Sequence, residues 1–339
     1  MNVKNLSLAI STASIIAVSG FFSPAFSAGK NLTVVLSEEP DIVDPCEATR
    51  SNVGRIVKQN VSETLVEIDP KDGSIKARLA TGWTQKDKLT WHFDIRKGVK
   101  FHDGEDLNAK SVVKSIQRAL NPKYDCEIRT KFFGNMSVTA SAIGSHTVSI
   151  KTKKPQPIMP ALMGTMTIVS PNTQEAKGVR NPQGTGPYVF GTWTPGQSVT
   201  LKRFSGYWGD KPQVENVNYV FRKESAVRAA MVKTGEADIA PNIAVQDATD
   251  SKMDFSYFNS ETARLRIDMT RKPLDDIRVR KAMNLAIDLD ALKGTIFADG
   301  VVPQTQIIVP SINGHNPRLK PWPYNLKEAK RLVAEAKAD

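Results

Sequence analysis

Short stretches of period-two alternation are interleaved along the whole chain with apolar stripes at helical spacing, without an internal repeat. That alternation confines the chain to mixed α/β architectures. Residues 32–36 read as a buried strand, which Pro40 and Pro45 then interrupt. Val53, Ile56, Val57 and Val61 recur at helical spacing. Residues 89–95 alternate apolar and polar, as a strand with one wet face does. The spacing of Val112, Val113, Ile116 and Leu120 predicts a helix over 109–120. Strands over 147–151 and 166–169 follow, with a short proline-flanked helix over 158–163 between them. Residues 188–193 and 198–204 flank Thr194-Pro-Gly-Gln197, a hairpin turn. A strand over 214–221, a helix over 225–232 stopped before Gly235, and a short strand over 237–240 complete this run.

Two further helices lie near the end. Asp275-Asp276 opens one whose apolar face is Val279, Ala282, Met283, Ala286 and Ile287. Asn325-Leu-Lys-Glu328 imitates a capping box and leads into a stripe of Ala329, Leu332, Val333 and Ala336. No glycine or proline closes that last run, so it reads either as a frayed terminus or as part of a longer chain.

The compartment is set by the first residues. A cationic head with Lys4, a largely apolar stretch over 6–22 and the small residues around Ala25-Phe-Ser27 form the pattern of a secretory signal, cleaved after Ser27 or Ala28. No cysteine adjoins that cut, so a lipid anchor is not expected. The chain's net charge of +11 would otherwise raise the prospect of nucleic acid, but export removes that partner. In an oxidising compartment Cys46 and Cys126 are candidates for a disulfide. It would close a loop of about 80 residues, worth about 4.5 kcal/mol in the chain-entropy account. Their separation has no redox or zinc spacing.

Familiar catalytic signatures are missing. There is no G-x-S-x-G, H-E-x-x-H or G-x-x-x-x-G-K-[ST] pattern. Gly184-Thr-Gly-Pro-Tyr188 offers only half a dinucleotide fingerprint, and Pro187 removes a backbone donor that a phosphate would need. His92, His102, His146 and His315 are dispersed, with no helical pair to chelate a metal. His92 and His102 read as structural strand and loop histidines. Trp193, Tyr207 and Trp208 read as packing residues. No catalytic residue, metal or cofactor is expected; an exported hydrolase is the remote alternative.

The run from Gly82-Trp83 through Trp91-His-Phe-Asp-Ile-Arg-Lys-Gly98-Val-Lys-Phe101-His-Asp-Gly104, followed by Leu107-Asn-Ala-Lys-Ser-Val-Val113, resembles the signature of the family 5 extracytoplasmic solute-binding proteins. These are the dipeptide, oligopeptide and nickel receptors of ABC importers. Asp44-Pro45, Gly184–Tyr188, Gly206-Tyr-Trp-Gly209, Gly235-Glu-Ala-Asp238, Pro273–Ala282 and Ala286-Ile-Asp288 look like further landmarks of that family in order. Arg264–Thr270 departs from it, standing where members usually carry an asparagine-containing strand.

The resemblance implies an α/β clamshell of the periplasmic-binding-protein class II kind, with an extra N-proximal subdomain and an incomplete third lobe. The expected division is a signal peptide over 1–27, a first-lobe segment over 28–55, a subdomain over 56–182, a first-lobe return over 183–262 and the start of a third lobe over 263–339. The implied function is periplasmic capture of a small solute, peptide by default, for an ABC permease by a monomer; a nonfunctional remnant of such a receptor is the alternative. Ala48, Thr49, Arg50 and Ser51 border the ligand in this reading, with Arg50 offered to an anionic group. Arg129, Phe132 and Phe133 combine charge with aromatic surface, and Arg266 and Asp268 extend the wall.

Overall fold

The computed structural model describes residues 30–47, 51–124, 126–256 and 262–338. In chain order its elements are β1 (Asn31–Leu36), α1 (Ser51–Val53), β2 (Glu63–Thr64), β3 (Val66–Ile68), β4 (Ile75–Ala77), β5 (Ala80–Asp87) and β6 (Thr90–Ile95). Then come α2 (Ala109–Leu120), β7 (Val138–Ile143), β8 (Thr147–Thr152), α3 (Met159–Met163), β9 (Thr167–Ile168), β10 (Tyr188–Thr194), β11 (Ser198–Arg203) and β12 (Asn216–Phe221). The helices α4 (Ser225–Thr234), α5 (Ile277–Ala286) and α6 (Leu326–Ala336) follow. The mixed α/β class read from the sequence is the observed one.

Two sheets organise the molecule. The first runs β1-β12-β11-β10, with β1 parallel to β12 and the remaining pairs antiparallel. Its core gathers Val34, Leu36, Val43, Tyr188, Phe190, Val199, Leu201 and Tyr219. Ile56, Val57 and Val61, placed from sequence in the 56–182 unit, pack in this first core. The second sheet runs β5-β6-β8-β7, antiparallel throughout. Its apolar face packs against α2, with Phe93, Phe101, Val112, Ile116, Val148 and Ile150 all at most 1% exposed. Asn108 caps α2 reciprocally with Ser111, which is why the helix starts where its stripe does.

Local chemistry explains where sequence and structure part. The helix expected from Val53 stops early because a π-helical turn, Gly54–Lys58, follows α1 and Asn60 donates its side-chain amide to the Arg55 and Ile56 carbonyls at 2.7 and 3.3 Å. The strand expected over 237–240 reduces to one bridge, Val34 to Ile239, because the Asp238 carboxylate takes the Thr33 amide at 2.7 Å. In α5, Leu285 is buried against α6 and Ala286 is exposed. The last helix does acquire a stop: Lys337 adopts the left-handed conformation and its amide closes on Val333 and Ala334. Among the described residues no helix is long and apolar enough to cross a membrane; the expected signal at 1–27 lies outside the described residues.

Candidate functional site

A buried polar cluster forms where the first loop crosses to α2. Asp44, 1% exposed, accepts the Cys46 amide at 3.0 Å, the Val179 amide at 2.9 Å and both arms of Arg118 at 3.2 and 2.8 Å. Thr167 on β9 donates to the Pro45 carbonyl at 2.9 Å. Cys46 and Cys126 form a disulfide, their Cα atoms 5.0 Å apart. The bridge joins the turn Pro45–Glu47 to the segment that leads into the π-helical turn Arg129–Phe133, so two of the three groups of residues singled out from sequence lie near one crosslink.

Within those groups the side chains fare differently. Ala48, Thr49 and Arg50 lie outside the described residues, and Ser51 opens α1. Phe132 stands 41% exposed while Phe133 is 4% exposed and belongs to the second core. Phe133 packs inward while the neighbouring Phe132 ring faces out, as successive side chains of a helical turn point in different directions. The Nε of Arg129 is buried without a hydrogen-bond partner among the described residues. Arg266 and Asp268 lie apart on an exposed stretch. Asp268 pairs with Arg271 at 3.3 Å, and hydrogen bonds from Thr270 hold its carboxyl below the usual range. No hydrogen bond or ion pair among the described residues links either to the bridged turns.

A second constellation fixes how the two sheets meet. Glu63 on β2, 2% exposed, takes Arg78 at 2.9 Å and Tyr207 at 3.1 Å on one oxygen, and Thr185 and Trp208 at 2.8 Å each on the other. Burial, followed by the facing carboxylate, pushes the Tyr207 phenol up to about 12. The Arg96 guanidinium lies 4.3 Å from the Trp208 ring centroid. Tyr207 and Trp208 thus do more than pack: their polar ends satisfy a buried anion that the sequence reading missed. Beside them the His102 Nε2 lies 2.9 Å from the Gly186 carbonyl, while the Gly184 amide donates to Nδ1 at 3.4 Å. That pattern requires a neutral ring with its proton on Nε2, and burial lowers the pKa accordingly. Asp103 receives Ser170 at 2.5 Å. His102 is a seam residue, as its loop position implies.

Among the described residues this geometry sets no nucleophile against a base, and no cluster of them could hold a metal ion. What it provides is a rigid pair of packed units whose surface turns are held by buried ion pairs. Residues 74–339 match the family model described as bacterial extracellular solute-binding proteins, family 5, middle region, and the chain belongs to that family. The glutathione-binding protein GsiB of Salmonella typhimurium is 32% identical over 325 residues, spanning 92% of this chain and 62% of that protein. The GsiB of Escherichia coli is 32% identical over 326 residues. The chain thus spans about three-fifths of the length of these curated relatives. Among solved structures, DppA of Helicobacter pylori in complex with the peptide STSA superposes with a TM-score of 0.77 at 24% identity, over 90% of this chain and 66% of that one. NikZ of Campylobacter jejuni in complex with Ni(L-His) gives 0.77 at 22% identity, over 91% and 63%. Both similarities establish the fold: that of the periplasmic binding proteins of family 5.

Proposed function

We propose that this chain is the extracytoplasmic solute-capturing component of an ABC importer, taking a peptide or a similar small solute and passing it to a permease in the membrane. The observation that carries this reading is the match to the solute-binding family over residues 74–339. Capture needs no bond to be made or broken; it needs a ligand that contacts both sides of a cleft, because only differential affinity shifts an open–closed equilibrium. On this reading Ala48, Thr49, Arg50 and Ser51 form one wall and Arg129 and Phe132 the adjoining one, with Arg266 and Asp268 further out. The buried Nε of Arg129, without a hydrogen-bond partner among the described residues, suits a carboxylate, such as a peptide terminus or an acidic side chain.

The test is a thermal-shift and calorimetric panel of trialanine, the peptide Ser-Thr-Ser-Ala, glutathione and a nickel–histidine chelate. A true solute at a hundred times its Kd adds about 2.7 kcal/mol of stability. Binding that Arg129→Ala weakens tenfold or more supports the assignment. A second reading, a folded chain without binding capacity, is favoured by the apolar side chains left exposed beyond α4, among them Phe255 at 85%, Leu265 at 71% and Ile296 at 70%. Failure of every solute in the panel to raise the Tm decides for that reading.

A further inference from the structure

Arg118 sits in the last turn of α2 with its side chain only 6% exposed, and each of its N–H donors has a partner. Nε donates to the Gln174 carbonyl at 3.1 Å. Nη1 donates to Asp44 Oδ1 and Cys46 Sγ, both at 3.2 Å, and Nη2 donates to Asp44 Oδ2 at 2.8 Å and the Ala176 carbonyl at 3.0 Å. One planar fork thereby ties α2 to the turn that carries the disulfide and to the segment around 174–176. The Val179 amide joins the same carboxylate from the far side.

We infer that Arg118 is the positioning residue for the solute-facing turns, holding Pro45–Glu47 and, through the Cys46–Cys126 bridge, Arg129–Phe133 in register with α2. This rests on the solute-capture reading for its functional half. The disulfide cannot perform this task alone. It fixes one turn to the other, and both share the second core with Val112, Ile116 and Ala119 through Cys46, Cys126 and Phe133, but apolar contact sets no direction; Arg118 adds the directional polar tie between the helix and Pro45–Glu47. Geometry also restricts the residue type: five donors in a rigid fork meet five acceptors, whereas a lysine offers three donors from a single point. The guanidinium lies at the helix C-terminus, where the dipole favours a cation.

The role is tested in the full chain with Arg118→Lys, with Asp44→Asn, which keeps the shape and one acceptor, and with the double substitution Cys46→Ser/Cys126→Ser. Amide hydrogen exchange at residues 46 and 47 reports the turn and amides within α2 report the scaffold; trialanine titration reports function. Arg118→Lys and Asp44→Asn are expected to speed exchange at 46 and 47 at least tenfold, with α2 protection unchanged, and to raise the trialanine Kd at least tenfold. The cysteine pair is expected to speed exchange at 46 and 47 less than threefold. Wild-type protection at 46 and 47 in Arg118→Lys overturns the inference, as does equal loss throughout α2 in both variants, or a cysteine pair that loosens the turn as much. A wild-type chain that binds no solute in the panel defeats the capture reading alone, and the exchange result still decides the role of Arg118.

Discussion

At the scale of single residues, buried charge separates the informative positions from the ordinary ones. Glu63 and the half-buried pair Arg203–Glu215 are both ion-paired, at 2.9 and 3.3 Å, yet only Glu63 is enclosed. Glu63→Ala would strand Arg78, Thr185, Tyr207 and Trp208 in a dry junction, an expected loss of about 3–5 kcal/mol in urea unfolding followed by Trp fluorescence. Glu215→Ala should cost under about 1 kcal/mol. A loss for Glu63→Ala no larger than that would show the junction to be wet. His102 gives a pH signature. Its folded pKa is depressed by burial, so the folded state resists protonation; its contribution is complete above an unfolded pKa of about 6.5 and erodes as pH falls below that value. His102→Gln should flatten the drop in urea midpoint between about pH 7.5 and 5, relative to the parent; an unchanged slope would place the titration elsewhere. The role of Glu63 was not legible in the sequence, and of His102 only a structural loop position was. Glu63 looks like any acid beside Thr64 and Leu65, because its partners lie far along the chain, and His102 revealed its neighbourhood only through a motif shared with relatives.

At the scale of elements, the readable parts were those whose own side chains dictate the conformation. Helix α2 and strand β6 declared themselves because Val112 and Ile116, or Phe93 and Ile95, repeat at the period of the element they form. The two-residue strand β2 did not, since its pairing with β9 exists only after the chain has folded, whereas β9 falls within the strand read over 166–169. Edge strand β7, Val-Thr-Ala-Ser-Ala-Ile, is too small and polar to stand out. The Gly184-Thr-Gly-Pro-Tyr188 landmark was visible as a pattern, but its cause is a backbone crossing. A Cβ on Gly184 would lie 2.0 Å from the Val61 carbonyl oxygen, and one on Gly186 would lie 2.3 Å from that of Asn60. Gly184→Ala must push two main chains apart, and about 3 kcal/mol of destabilisation is expected by chemical denaturation. Gly196→Ala, at a hairpin φ of +72° with open space around it, should cost about 1–2 kcal/mol from conformation alone. Equal costs at the two sites would mean the crossing relaxes freely.

At the scale of the whole molecule, stability is distributed according to how each unit is enclosed. The second core is sealed between sheet and helix and stapled by the Cys46–Cys126 bridge; the first is joined to it by Glu63 and the glycine crossing. The α5–α6 pair is different. Its buried apolar residues are Val279, Ala282, Leu285, Ala329 and Leu332, and polar ties add Asn325 donating to the Leu285 carbonyl and Arg278 to that of Glu335. Apolar burial is the main term opposing chain entropy, so a unit that buries so little opens at a lower free energy than one built around Phe93 and Phe101. Native-state hydrogen exchange should therefore find the α5 and α6 amides exchanging by sub-global opening, at a free energy several kcal/mol below that of α2, with the gap narrowing if a bound solute reaches this pair. The same helices bear the exposed Ile277 and Leu326 beside that small core, so an apolar dye should report the opening before α2 yields. Exchange of α5 in step with α2 would mean the pair is fastened to the two larger cores by contacts stronger than its burial provides.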